Sequence, residues 1–213
     1  MNLRRMSTRK IELTRGAFAL VDDEDYARIA KSSWAYNPQG VGYAVRKGNK
    51  RRGEPRTVQM HREVLHAPCG VQIDHINGNG LDNRKSNLRY ANTQKNAFNR
   101  GKPNVPCSSQ YKGVYRRHNS PTWKARIKYN ARHVELGSFG SEELAAAAYN
   151  FAAKVMFGEY RRENMQEEIP DLTYKQKTDI FGKCRRKAEK EGWHVDTKTY
   201  RSFYFAEGGE GSE

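Results

Sequence analysis

The chain has 213 residues, with 39 Lys and Arg against 24 Asp and Glu, a formal net charge of +15. That length holds one to three small domains and excludes a large multidomain assembly. No run approaches eighteen consecutive apolar residues, so no membrane span is expected, and the basic opening MNLRRMSTRK lacks the apolar stretch of a secretory signal.

That basic tip reads either as a disordered end or as an arm that grazes a polyanion. Lys10–Leu13 and Phe18–Val21 read as short strands around the turn Thr14-Arg15-Gly16. Asp22-Asp23-Glu24-Asp25 opens a short helix to about Ser32. Acidic side chains suit the positive end of the helix dipole, a reading preferred here to metal binding. Gly42–Arg46 and Thr57–Met60 read as a hairpin around a polar loop that exposes Lys47, Lys50, Arg51 and Arg52. Met60–His66 reads as a short amphipathic helix. His61 and His66 are five apart and do not share a helix face, so both read as packing or surface residues. A short apolar strand then ends at Asp74-His75. A turn rich in Asn, Gly and Asp follows, then a strand over Asn87–Ala91 and a helix from about Asn92 to Asn99. GKPNVPCSSQ, residues 101–110, reads as a linker. Beyond it Tyr111–Arg117, Thr122–Tyr129 and Arg132–Gly137 read as three strands. Ser141 caps an alanine-rich helix that ends at Gly158. Tyr174–Glu191 has helical spacing, Tyr200–Phe205 reads as a strand, and the acidic end as disordered.

The charge is unevenly placed. Residues 1–73 carry net +7, residues 74–107 +4, residues 108–164 +5 and residues 165–213 −1. An excess confined to the first 164 residues points to a nucleic acid partner. Cys69, Cys107 and Cys184 are odd in number and form no C-x-x-C pair. They imply free thiols, a reducing cytoplasm and no structural zinc.

Residues 71–100 carry the most specific chemistry. Phosphodiester hydrolysis needs a base for water, a cation for the phosphate charge, and a group that orients the base. His75 can be the base, because a free imidazole titrates near ~6.5 and is largely neutral at cellular pH. Asp74 offers a hard oxygen suited to magnesium. Asn96 can complete the site from the following helix, with Asn99 as its rival one turn on. The Asn87 amide can bond the backbone around His75 and hold the loop. The turn residues Asn77, Gly78, Asn79, Gly80, Asp82 and Asn83 read as turn formers and not as ligands.

Asp74-His75, then Asn87-Leu88-Arg89, then Asn96 resemble the HNH homing endonucleases of phages and introns. Met60-His61-Arg62 and Leu81–Arg84 share that likeness. The resemblance implies a ββα-metal nuclease module in which Asp74 and Asn96 hold one Mg²⁺ or Mn²⁺ ion per site, His75 is the general base and Asn87 positions it. It implies an enzyme that nicks or cuts double-stranded DNA, with no zinc.

In residues 111–137 strand alternation puts Lys124, Arg126 and Lys128 on one face and Ala125, Ile127 and Tyr129 on the other. Val134 and Leu136 join the apolar face, and His133 and Glu135 the basic one. YKGVYRR, WKARIK, LGSF and the helix through AAAAYNFAA to FGEYRREN resemble the APETALA-type DNA-binding domain of plant ethylene-response factors over residues 108–164. The resemblance implies DNA contacts by Lys112, Tyr115, Arg117, Lys124, Arg126, Lys128 and His133. Tyr115, His133 and Glu135 stand where the plant proteins usually carry Arg, Arg and Trp, so the plant target does not transfer. Trp123 suits a groove contact or a core anchor.

The expected fold class is α+β, in small modules. An N-terminal β-rich support covers 1–66, a nuclease module 67–100, a linker 101–110, a DNA-reading sheet on one helix 111–164, and an unassigned extension 165–213. The expected function is site-specific cleavage of double-stranded DNA by a monomer or weak dimer in a bacterial host cytoplasm, phage-encoded. The alternative is a sequence-specific DNA-binding regulator whose nuclease module is vestigial.

Overall fold

The computed structural model describes residues 7–102, 107–165 and 169–193. The tip Met1–Met6, the strand expected over Tyr200–Phe205 and the acidic end lie outside the described residues, as does the middle of the expected linker. The architecture is mixed, built of four small antiparallel sheets and five α-helices among the described residues. The chain divides into two compact units, one ending at Ala97 and the other starting at Phe98.

In the first unit β1 (Thr8–Glu12) pairs with β2 (Phe18–Asp22), from Thr8 opposite Asp22 to Glu12 opposite Phe18. The turn between them places Arg15 at φ 64° and Gly16 at φ 69°. α1 (Asp23–Ile29) starts with Asp23, Glu24 and Asp25 in its first turn, where the exposed amide dipole favours them. β3 (Ala35–Asn37), β4 (Tyr43–Lys47) and β5 (Thr57–Gln59) form a second sheet with β4 in the middle. β3 was not expected: three half-buried residues beside Asn, Pro and Gly carry too little alternation to mark a strand. α2 (Met60–Val64) follows directly. β6 (Gln72–His75) and β7 (Leu88–Ala91) make a hairpin in which Asp74 faces Arg89 and His75 faces Leu88. α3 (Thr93–Asn99) follows.

One core serves residues assigned to both the support and the nuclease module. Ile11, Leu13, Ala19, Val21, Ile29, Trp34, Ala44, Met60 and Val64 are buried together with Leu88 of the hairpin. The β6–β7 turn is also stitched to β2. Leu20 donates its N–H to the Leu81 carbonyl, Asn83 donates to the Leu20 carbonyl, both at 2.8 Å, and the Asp22 carboxylate accepts from the Lys85 N–H at 2.8 Å.

In the second unit β8 (Val114–Tyr115), β9 (Trp123–Tyr129) and β10 (Arg132–Phe139) form an antiparallel sheet in the order β10-β9-β8. β8 is shorter than the expected Tyr111–Arg117. Gly113, at φ 76°, precedes it, and its carbonyl accepts from the Arg126 N–H at 2.8 Å. Asn130 (φ 46°) and Ala131 (φ 63°) form the two-residue turn between β9 and β10, and left-handed backbone at both positions matches the strand twist. α4 (Glu142–Phe157) is capped by the Ser141 hydroxyl, which accepts from the Leu144 N–H at 3.1 Å. Its alanines at 145–148, 152 and 153 are buried and let the helix lie close on the sheet.

The sheet is covered by two helices, not the one expected. α5 (Tyr174–Glu191) begins with a Thr173–Gln176 capping box and sends Ile180, Phe181, Cys184 and Ala188 into the same core. Three of its basic residues are engaged locally: Lys183 donates to the Leu136 carbonyl, Arg185 pairs with Glu189, and Lys187 with Glu191.

Candidate active site and nucleic-acid interface

Adjacent residues of a strand project to opposite faces, so Asp74 and His75 enter different sets of contacts. On the His75 side three rings meet from three elements. The His61 ring of α2 stands edge to face with His75 at 5.0 Å between centroids, and Tyr43 of β4 lies 5.6 Å from His61 and 5.9 Å from His75. His75 Nε2 is 3.3 Å from the Asn83 Oδ1. The Asn83 amide is fixed the right way round because its Nδ2 donates to the Leu81 carbonyl at 3.2 Å. An acceptor on Nε2 requires the proton there and leaves Nδ1 as the basic nitrogen. Burial pushes the His75 pKa down, against Asn83 and the charges of Asp74 and Asp82, which raise it. Burial therefore favours the neutral ring in the fold.

The loop that follows His75 is held from inside. The Asn87 Oδ1 accepts from the Asn77 N–H at 2.9 Å and its Nδ2 donates to the Asp82 carbonyl at 2.8 Å. Asp82 is buried and grips Arg84 through both oxygens, at 2.7 and 2.6 Å, which holds its carboxyl below the usual range. Asn87 thus touches the loop backbone, as its chemistry suggested.

On the other side Arg89 donates to Asp74 Oδ2 through Nε at 2.9 Å and Nη2 at 2.6 Å. Gln72 shares that face. Its Oε1 accepts from Asn96 Nδ2 at 3.0 Å and its Nε2 donates to Thr93, so α3 is tied to β6 beside Asp74. Asn96 Oδ1 is buried with no hydrogen bond. A divalent cation would satisfy that oxygen. Among the described residues no group of three or more His, Cys, Asp or Glu side chains is poised to hold a metal. A cation here would rest on one carboxylate, one amide and water, a shell that magnesium tolerates. Asn99 is buried on the same helix.

Asn83, expected as a turn former, and His61, expected as a packing or surface residue, both reach His75. The motifs Leu81–Arg84 and Met60-His61-Arg62 already carried the signal. Spacing along the chain does not show that either residue reaches His75.

On the sheet of the second unit, Lys124, Arg126 and Lys128 alternate with buried Ala125 and Ile127. Register sets Tyr115 beside Lys124, Glu135 beside Arg126 and His133 beside Lys128. The Arg126 guanidinium lies 4.6 Å above the Tyr115 ring, and Tyr115 Oη donates to Glu135 at 3.0 Å. Arg117 is exposed; Trp123 packs at the edge of the core under Arg116 at 4.7 Å. Lys112 is a correction to the expected face. Its ammonium is turned inward to the carbonyls of Phe98 and Arg100, at 2.8 and 2.6 Å, and burial, helped by Arg162, pushes its pKa down to about 8.

A family model described as HNH endonuclease matches residues 66–98. The chain is 31% identical over 156 residues to an uncharacterised HNH endonuclease of Acanthamoeba polyphaga mimivirus, a match covering 70% of this chain and 76% of that protein. It is 38% identical over 103 residues to an ethylene-responsive transcription factor of Arabidopsis thaliana, a match covering 47% of this chain and 22% of that protein.

Proposed function

This chain belongs to the HNH endonuclease family, and from that premise we propose that it is a site-specific, homing-type DNA endonuclease whose first unit cuts and whose second unit finds the site. The observation that carries the reading is the setting of His75. The ring is buried and neutral, with its Nε2 proton held by Asn83 and its faces fixed by His61 and Tyr43. Nδ1 takes a proton from the attacking water as that water's oxygen bonds to phosphorus and the bond to the leaving oxygen breaks. Asn87 holds the loop on which His75 and Asn83 depend. Asp74, its rotamer fixed by Arg89, and Asn96, its amide fixed by Gln72, would hold a magnesium or manganese ion. When bound, that ion neutralises charge on the scissile phosphate and the leaving oxygen. The duplex is taken up as B-form DNA by the basic sheet, with phosphate contacts supplying most affinity and base contacts the preference.

The test is cleavage of supercoiled plasmid carrying the target, with and without magnesium. His75→Ala is expected to lower the cleavage rate by about 10²–10⁴-fold while leaving duplex affinity in place. The partial match to a transcription factor favours a second reading, a DNA-binding regulator with an idle nuclease module. Tight specific binding by the wild-type chain with no metal-dependent cleavage would establish that reading and end the first.

A further inference from the structure

β8, β9 and β10 together contain one acidic residue, Glu135, and it sits in the middle of the cationic face. A carboxylate there opposes any polyanion, so a sheet used only to grip phosphate would do better without it. Among the described residues Glu135 makes no ion pair. Arg126 is its cross-strand partner, yet that guanidinium lies over the Tyr115 ring at 4.6 Å, and Glu135 takes its hydrogen bond from the Tyr115 hydroxyl, a neutral donor, at 3.0 Å. Tyr115 reaches Glu135 across β9, which fixes the carboxylate while Glu135 stays exposed. The register of β10 shifts between Glu135 and Gly137, an irregularity of the kind that re-aims a side chain.

We propose that Glu135 is a specificity-determining residue whose carboxylate accepts a hydrogen bond from the exocyclic amino group of a cytosine in the major groove. The proposal rests on the reading of this sheet as the DNA-contacting face. The choice of base follows from the edges on offer. Guanine presents two acceptors and thymine an acceptor and a methyl group, both repelled by a carboxylate. Adenine presents its amino group beside the N7 acceptor, and cytosine presents the amino donor without one.

Binding-site selection from a random duplex library, with the full chain in buffer free of divalent cations, tests this. The wild-type chain is expected to select a motif with one position held as cytosine. In Glu135→Ala that position alone loses its preference, by about tenfold or more, and affinity for unrelated duplex rises because a repulsive charge has gone. Glu135→Gln is expected to move the same position towards adenine, which a side-chain amide reads through N6 and N7. If wild type and Glu135→Ala select the same motif, with cytosine still held, Glu135 reads no base and the proposal is overturned. A wild-type chain that retards no duplex overturns the DNA-reading sheet itself, and the proposal with it. Melting curves of the three proteins guard against a folding defect, which an exposed position should not show.

Discussion

His61 shows how one buried side chain ties the stability of the first unit to pH. Burial, with His75 and Arg62 nearby, pushes its pKa down to about 3, and Tyr43 of β4 and His75 of β6 close on its ring. In the unfolded chain the same imidazole titrates near ~6.5. Between the two values the unfolded state binds more protons. The contribution is therefore present above about pH 6.5 and lost as pH falls towards the folded value. The His75 shift has the same sign. In His61→Phe the ring remains but the titration goes. The melting temperature of the wild type should fall more steeply than that of the variant from about pH 6.5 to pH 4, and parallel curves would show that His61 is not the buried neutral group described.

At the scale of elements, the second unit depends on left-handed backbone at two turns that the sequence fills differently. Gly113 has φ 76°, and a Cβ there would lie 2.1 Å from Tyr149 Cδ2 and 2.6 Å from the Arg126 carbonyl oxygen. Tyr149 is buried on α4 and cannot withdraw without opening the sheet–helix interface. Gly113→Ala combines overpacking with backbone strain and is expected to cost about 3 kcal/mol or more. Ala131 is the reverse case, a side chain held at φ 63° in an exposed turn. Ala131→Gly restores the Asn-Gly pair favoured in such turns and is expected to gain up to about 1 kcal/mol. Denaturant melts of the two variants should move in opposite directions. A Gly113→Ala protein as stable as the wild type would mean that α4 does not close on Gly113 as described.

For the whole molecule, charge is the quantity that couples to function. The excess lies in residues 1–164, and the half-buried Lys124 with the exposed Arg126 and Lys128 concentrate part of it on one sheet face. In the proposed function the two units act on one chain at high effective concentration and need not be individually tight. Each phosphate contact releases counterions, so Lys128→Ala should weaken duplex binding and lower the slope of log affinity against log salt by about one. An unchanged slope at reduced affinity would mean that Lys128 touches no phosphate.

Much of this was legible in the sequence because it is local. Alternation in WKARIK, the Ser141 cap before an alanine run, and Tyr174–Glu191 predicted elements whose bounds moved little, since strand period, helix capping and turn chemistry are set by neighbours in the chain. The residues proposed for catalysis were legible as types in order: Asp74-His75, Asn87, Asn96. Tertiary structure alone decided what depends on contacts between distant segments. It brought His61 and Tyr43 onto His75, turned Asn83 from a loop residue into the partner of Nε2, joined residues 1–66 and the hairpin in one core, and laid α5 over the sheet. It also took Lys112 off the basic face. The physical reason is the same in each case: composition and period state which side chains are available, but desolvation and hydrogen-bond pairing across the fold select which of them meet.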